Sequence, residues 1–136
     1  MYSYSPGAGG LDAGLFAERY PGDEIIDMVG FDCYQYGSDE SYMTDMKSAL
    51  DVTAAFAEEH GKLMAVTETG YEGVKNEKWW TSVLYPSLKD YPVSYVLLWR
   101  NACDDNMQHH FYAPYPEHES AADFKAFSEL DQMLFL

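Results

Sequence analysis

The chain has 136 residues, which is the size of one domain with a core of its own. Its formal net charge of −15 argues against nucleic acid and anionic membranes as partners, because phosphate contacts need clustered Lys and Arg. No apolar run approaches the roughly 20 residues of a membrane-spanning helix, and the chain does not start with a signal-peptide pattern. Aromatic residues make up 16% of the chain, a composition that suits stacking on hydroxyl-rich ligands as well as core packing.

The first half of the chain predicts alternating strands and helices. A short strand at 1–5 precedes a helix at 11–20, and a second strand at 25–34 precedes a long helix at 39–60. Gly61 is placed to end this long helix in the left-handed conformation. Its apolar residues recur at spacings of three and four, which predicts core packing rather than a cofactor site. These residues are Met43, Met46, Leu50, Ala54 and Ala57.

The second half continues the alternation. A strand at 63–68 leads through a loop into a helix at 77–89, which Pro86 is expected to kink or shorten. The strand at 94–100 is apolar throughout and is expected to be buried on both faces. A long loop then leads to a last helix at 120–130, with Ser120 as the expected cap.

The strand ends recur at the period of βα units. They fall near residues 5, 34, 68 and 100, about 30 residues apart. Four parallel strands with four helices would form half of an eight-stranded barrel, a fold that typically needs about 250 residues. We therefore predict an α/β fold of half-barrel size.

Polar and aromatic residues follow three successive strands at their carboxyl ends, where parallel α/β folds place their ligand sites. They are Asp32 with Tyr34, Glu68, and Trp99 with Arg100. Alternation along the strand predicts that Met64, Val66 and Glu68 share one face. Carboxylates beside aromatic side chains, without a metal or phosphate motif, suit hydrolysis of a glycan, which usually needs two carboxyl groups.

Each of these residues also has a structural interpretation. Glu68 could cap a helix or pair with a surface cation, and Asp32 with Tyr34 could form a structural hydrogen-bonded pair. Trp99 could belong to the core, and Tyr71 either lines the cleft or has a plain loop role. Trp79 and Trp80 lie on a predicted helix and are interpreted as packing or surface residues.

Neither the cysteines nor the histidines predict a metal site. Cys33 and Cys103 are interpreted as free, buried thiols. His109, His110 and His118 fit no ligand spacing and are expected in a solvated loop. The run 104–106 lacks the Gly and the closing Glu of a calcium loop. We assign no metal and no cofactor.

Six segments together resemble glycoside hydrolase family 26, whose members are mostly endo-β-1,4-mannanases. The resemblance runs along nearly the whole chain, and it is specific to the family and less specific to the substrate. The segments are Tyr-Ser-Pro-Gly (4–7), Arg-Tyr-Pro-Gly-Asp (19–23), Gly-Phe-Asp-Cys-Tyr-Gln-Tyr (30–36), Thr-Glu-Thr-Gly-Tyr-Glu-Gly (67–73), Leu-Leu-Trp-Arg-Asn-Ala (97–102) and Pro-Tyr-Pro (114–116).

The resemblance implies the C-terminal half, about strands 5–8, of a (β/α)8 barrel, with residues 1–136 as a partial catalytic domain. Glu68 matches the retaining nucleophile at the end of strand seven. Asp32 and Tyr34 match the pair that hydrogen-bonds the sugar and orients the nucleophile. Trp99 matches the tryptophan that stacks under the sugar, with Arg100 supporting the site, and Tyr71 completes the expected substrate-binding set.

The resemblance also implies that something is missing. The acid/base glutamate of the family comes from strand four, and strands one to four are absent from this chain. Glu72 is the nearest spare carboxylate, and we do not expect it to serve as a substitute acid.

We therefore expect an intact parent that cleaves mannan with retention, needs no cofactor, and is secreted, periplasmic or at the cell surface. The isolated chain is expected to show little or no hydrolysis. One alternative is a non-catalytic, glycan-binding half-barrel that pairs with a second copy or with a missing N-terminal half. Another is a hydrolase of a β-glucan or xylan.

Overall fold

The structure, a computed structural model, describes residues 1–100 and 110–135. Its strands form one parallel sheet in the order β1-β2-β3-β4. The strands are β1 (Ser3–Tyr4), β2 (Met28–Gln35), β3 (Leu63–Tyr71) and β4 (Val93–Leu98). Because each strand pairs with the next strand along the chain, the carboxyl ends of β2, β3 and β4 lie at the same edge of the sheet.

Helices follow the strands in the predicted order. They are α1 (Ala13–Glu18), α2 (Asp39–His60), α3 (Tyr85–Leu88) and α4 (Ala121–Ser128). α2 has the predicted bounds, because the Ser38 hydroxyl accepts a hydrogen bond from the backbone N–H of Ser41 and Gly61 ends the helix at φ +62°.

Pro86 disturbs its helix as predicted. A wide π turn over Trp80–Leu84 precedes the single α-helical turn of α3, which carries Pro86. A proline has no backbone N–H, so the regular hydrogen-bond ladder cannot run through it. Trp80, Leu84 and Leu88 are nevertheless all buried.

The core lies between the sheet and the helices, and Trp79 and Trp80 belong to it. On α2, Met46, Leu50 and Ala57 are buried as predicted. Met43 and Ala54 are only half-buried, while four residues outside the predicted stripe complete the buried surface of the helix: Tyr42, Ala49, Thr53 and Phe56. Cys33 is a buried free thiol, as predicted, and Cys103 lies outside the described residues.

The expectation that Glu68 shares a face with Met64 and Val66 is wrong. Val66 pairs with Phe31 in the neighbouring strand, and Glu68 pairs with Asp32, so Thr67 is an extra residue in β3. Because partners in a parallel pair share a face, this bulge turns Glu68 away from the side of Val66 and onto the side of Asp32.

The two sides of the sheet can now be named. The helix face carries Phe31 and Val66, which belong to the core, and it is covered by the helices. The open face is the opposite side, which carries Asp32, Tyr34 and Glu68.

β4 is not buried on both faces as expected. Val96 and Leu98 pair with Val66 and Thr69 of β3 and pack on the helix face. Three alternate side chains therefore lie on the open face, and these are 39–41% exposed: Tyr95, Leu97 and Trp99. β4 is the last strand of the sheet, so it is an edge strand rather than a strand of a sheet interior.

Ser120 occupies the N-cap position of α4, but its side chain makes no capping hydrogen bond, contrary to expectation. Its buried hydroxyl instead accepts a hydrogen bond from Trp80 Nε1 at 3.1 Å. The start of α4 is thereby fixed to the π turn that precedes α3. No helix within residues 1–100 and 110–135 is both long and apolar enough to span a membrane.

Candidate active site

The side chains of Tyr34 and Glu68 meet on the open face, at the carboxyl ends of β2 and β3. The Tyr34 hydroxyl donates a hydrogen bond to Glu68 Oε2 at 2.5 Å. Burial of Tyr34, together with this hydrogen bond and the negative charge of Glu68, raises the pKa of the phenol well above its usual value. Tyr34 therefore stays a neutral donor that holds the Glu68 carboxylate in one orientation.

Phe111 supports this pair from a distant part of the sequence. Its ring lies 4.7 Å from the ring of Tyr34, and its backbone carbonyl accepts a hydrogen bond from the backbone N–H of Arg100 at 3.1 Å. A Cβ atom at Gly70 would lie 2.6 Å from the Cβ of Phe111, so only glycine allows this approach. Sequence analysis missed Phe111, because only the folded chain brings it beside β3.

Asp32 is held by two hydroxyl groups. Its Oδ1 accepts hydrogen bonds from Ser5 Oγ at 2.9 Å and from Thr67 Oγ1 at 2.9 Å, and the two hydroxyls also contact each other. Gly30 leaves the room that Thr67 occupies, since a Cβ at position 30 would lie 2.7 Å from Thr67 Cγ2. Asp32 is thus an oriented hydrogen-bond acceptor. Ser5 and Thr67 stand inside the motifs singled out above, but their role was missed.

Trp99 and Arg100 lie at the same edge of the sheet. The backbone N–H of Trp99 donates to the backbone carbonyl of Thr69 at 3.0 Å, which places Trp99 beside the residue that follows Glu68. The Arg100 guanidinium carbon lies 5.8 Å from the centre of the Trp99 ring, a cation–π distance. Trp99 thus presents an exposed aromatic side chain on the open face rather than a core residue.

A second aromatic side chain, Tyr36, was not among the predicted site residues. It is 73% exposed, and its ring lies 6.3 Å from that of Tyr34 and 5.8 Å from that of Phe111. Tyr71 behaves differently, because it is half-buried with its ring 6.2 Å from Trp79. Its expected place in the cleft stays a prediction.

A partly buried polar network fixes the loops beside the site. Trp79 Nε1 donates to Gln35 Oε1 at 2.5 Å, and Gln35 Nε2 donates to Asp39 Oδ1 at 2.7 Å. Asn76 Nδ2 donates to the other oxygen of Asp39 at 2.7 Å. The end of β2 is thereby tied to the segment that follows β3. Sequence analysis did not single out these residues.

The histidines do not form a metal site among the described residues, and no group of three His, Cys, Asp or Glu side chains there could hold a metal ion. His118 lies in the predicted loop, where it is half-buried and its Nδ1 accepts a hydrogen bond from the Ser120 N–H at 3.1 Å. His109 and the acidic run 104–106 lie outside the described residues.

Comparison with known proteins gives consistent relatives. No protein-family model matches the chain. A mannan endo-1,4-beta-mannosidase from Bifidobacterium adolescentis is 29% identical over an aligned length of 160 residues. The alignment covers 98% of this chain and 15% of that protein. The structure of a GH26 beta-mannanase from Bacteroides ovatus matches with a TM-score of 0.91 and 43% identity, over 98% of this chain and 38% of that chain. An endo-beta-1,4-mannanase double mutant from Cellulomonas fimi matches at 0.81 and 30%, over 99% and 31%.

These relatives are much longer than the chain, which spans 15% to 38% of the three. The structures are (β/α)8 barrels, and the four parallel strands superpose on part of such a barrel. The predicted fold class is therefore confirmed.

Proposed function

We propose that this chain, which resembles part of the catalytic domain of glycoside hydrolase family 26 β-mannanases along 98% of its length, belongs to a retaining endo-β-1,4-mannosidase. The observation that carries the proposal is the 2.5 Å hydrogen bond from Tyr34 to Glu68 on the open face. A carboxylate held in one orientation beside exposed aromatic side chains suits attack on a sugar ring.

Glu68 is the proposed nucleophile. One of its carboxylate oxygens attacks the anomeric carbon, the bond to the leaving sugar oxygen breaks, and a covalent glycosyl ester forms. A second carboxyl group donates a proton to the leaving oxygen and then takes a proton from the water that hydrolyses the ester. We assign this acid/base role to a part of the parent protein that the chain does not contain, because Asp32 already accepts hydrogen bonds from two hydroxyl groups.

The other site residues bind the substrate in this proposal. Asp32 accepts hydrogen bonds from sugar hydroxyls, and Trp99 stacks on the sugar at the cleavage point, supported by Arg100. Stacking on a flat sugar face is an established use of exposed tryptophan, and its energy comes largely from buried apolar area.

Mannan is the proposed substrate, because the names of the relatives state mannosidase or mannanase activity. A β-glucan or xylan remains the alternative, and rates on a panel of polysaccharides decide between them. Since a polymer such as mannan does not cross a membrane, we propose that the parent protein acts outside the cytoplasm.

The test separates the nucleophile from the missing acid. In an aryl mannoside with a dinitrophenyl group, the dinitrophenolate leaves without taking up a proton. Cleavage of this substrate therefore needs no general acid. We expect the purified chain to release a single equivalent of dinitrophenol and to carry one mannosyl group, located at Glu68 by mass spectrometry of its peptides. Mannan itself should be hydrolysed little or not at all.

Matched variants complete the test. Glu68→Gln should take up no label, and Glu72→Gln should be labelled like the wild-type chain. A label on any other residue, or none on the folded wild-type chain, contradicts the assignment of Glu68. Mannan hydrolysis by the isolated chain that Glu68→Ala abolishes would show that the acid lies within the chain after all.

A second candidate function is a half-barrel that pairs with a second copy of itself. The observation that favours it is the exposure of Tyr95 and Leu97 at the open face of an edge strand, since proteins rarely leave such surfaces uncovered. Sedimentation should then show a dimer that Leu97→Glu dissociates, while the control Ile25→Glu, also exposed, leaves it intact. A monomer at all concentrations contradicts this candidate.

A further inference from the structure

We propose that Tyr42 and Thr69 are positioning residues, which hold Glu68 and Tyr34 in contact from the opposite side of the sheet. The two side chains are buried on the helix face, directly behind the site. Because the inference concerns the orientation of the proposed nucleophile, it rests on the proposed function, although its test does not require hydrolysis.

Hydrogen bonds connect the hydroxyl of Tyr42, the hydroxyl of Thr69 and the backbone carbonyl of Cys33. They therefore join α2, β3 and β2. Thr69 Oγ1 lies 2.7 Å from the backbone carbonyl of Cys33 and 2.6 Å from the hydroxyl of Tyr42. A carbonyl has no proton to give, so Thr69 donates to Cys33 and the hydroxyl of Tyr42 donates to Thr69. Burial raises the pKa of Tyr42 well above its usual value, which keeps this donor protonated.

The place of this chain in the register explains its effect. Cys33 pairs with Thr69 in the parallel ladder, one step after the pair Asp32 and Glu68 and one step before the pair Tyr34 and Gly70. The register shift at Thr67 lies immediately before these pairs, and a bulge disrupts the ladder locally. A side-chain hydrogen bond to the carbonyl of Cys33 therefore fixes the spacing of the strands directly beside the interruption of the ladder.

The consequence concerns residues one step away on both strands. Thr69 follows Glu68 in β3, and Cys33 precedes Tyr34 in β2, so the Thr69–Cys33 hydrogen bond sets the separation of the backbones that carry the pair. α2 supplies Tyr42, and the Tyr42 ring lies 5.7 Å from that of Trp79, a member of the polar network beside the site. Helix packing is thus transmitted to the orientation of a carboxylate on the other face.

The experiment measures the hydroxyl proton of Tyr34 by NMR in the full chain. A proton in a short hydrogen bond to a carboxylate exchanges slowly with water and resonates downfield, and Tyr34→Phe identifies its signal. Thr69→Val keeps the shape of the residue but removes both hydrogen bonds. We expect this variant to speed exchange of the proton by about tenfold, the factor that one ordinary hydrogen bond supports.

Two variants separate positioning from general loss of stability. Thr69→Ser restores a hydroxyl and should return the exchange rate to within about twofold of wild type. Thr53→Val removes another buried hydroxyl from α2, one without a hydrogen-bond partner among the described residues, and should leave the signal unchanged. Circular dichroism confirms that each variant is folded.

Three results would overturn the inference. They are a Tyr34 signal that Thr69→Val leaves unchanged, an equal loss in Thr53→Val, and the absence of a protected Tyr34 proton in the folded wild-type chain. A failure to take up the mannosyl label would instead contradict the proposed function alone, because the NMR measurement uses no sugar.

Discussion

The two faces of the sheet use the same strands for different purposes. On the helix face, Phe31 and Val66 are fully buried, and polar groups such as Thr69 are paired with the neighbouring elements. On the open face, Glu68 is half-buried and Trp99 is exposed, although both belong to the same edge of the sheet. A closed, well-packed face makes the backbone rigid, which lets the opposite face hold a carboxylate and aromatic side chains in place without a core of its own.

The bulge at Thr67 produces this division. In a regular strand of the same sequence, without the bulge, Glu68 would share the side of Met64 and Val66 and would lie among the helices. An uncompensated carboxylate there would be costly to bury. The bulge therefore places the carboxylate on the open face while Met64 and Val66 of β3 contribute to the core.

The largest expected difference between the faces is in the tryptophans. Trp80 is 1% exposed on the helix side, whereas Trp99 is 41% exposed on the open face. We expect Trp80→Ala to lower the free energy of unfolding by about 3–5 kcal/mol, because it leaves a large cavity. Trp99→Ala should stay within about 1 kcal/mol of wild type.

Urea unfolding measures both tryptophan variants, and Trp80→Phe serves as a milder change if the alanine variant does not fold. Equal losses at the two positions would mean that the open face also acts as a core.

A smaller loss of stability is expected for a substitution at Gly30, in the middle of the sheet. An alanine there would place its Cβ 2.7 Å from Thr67 Cγ2 and 2.8 Å from the carbonyl of Ala65. Such overpacking costs about 1–3 kcal/mol and moves the hydroxyl that holds Asp32. The control is Gly7→Ala, whose Cβ meets nothing within 4 Å.

The free energy of unfolding in urea and the rate of mannosyl labelling should both fall for Gly30→Ala. Both should stay unchanged for Gly7→Ala. Identical behaviour of the two variants would show that Gly30 is not needed for the close approach of the strands.

The order of the elements could be predicted because local signals define it. The repeat of apolar residues, the Ser38 cap and Gly61 give the bounds of α2. Glu68, Asp32 and Tyr34 were predictable as neighbours because parallel strands bring their carboxyl ends together. The resemblance to a known family added their proposed roles.

What could not be predicted depends on pairing between distant residues. The bulge at Thr67 follows from the register with β2, and the exposure of Tyr95 follows from the position of β4 at the end of the sheet. Ser120 occupies the N-cap position of α4, but the hydroxyl group bonds to Trp80, 40 residues earlier, rather than to the helix. Phe111 reaches Tyr34 only through the folded chain.

Hydroxyl groups give the next comparison. Tyr42→Phe removes a hydrogen bond on the helix face and should lower the free energy of unfolding by about 1 kcal/mol, since it leaves Thr69 with a missing donor. Tyr34→Phe should change stability less but should slow mannosyl labelling of Glu68 about ten- to a hundredfold, as expected for a hydrogen bond to a charged group. Labelling at the wild-type rate in Tyr34→Phe would mean that Glu68 needs no orientation by Tyr34.

The smallest expected effect is a pH dependence from the helix face. Burial, with a lesser contribution from the negative charge of Asp45, raises the pKa of the Cys33 thiol to about 12. Because this folded-state pKa lies above that of the unfolded chain, the folded chain holds more protons between the two values. The stability from this thiol is therefore complete below about pH 9 and is lost as the pH rises toward 12.

The loss amounts to about 0.8 kcal/mol at pH 9.5, half a unit above the ordinary thiol value of 9.0. Urea midpoints between pH 7 and pH 9.5 should fall in the wild-type chain and fall less in Cys33→Ala. The phenols with raised pKa values on both faces, Tyr42 and Tyr34, contribute in the same direction only above about pH 10. Equal pH profiles for wild type and Cys33→Ala would show that the helix face admits water to the thiol, and the contrast between a closed and an open face would then be smaller than the packing indicates.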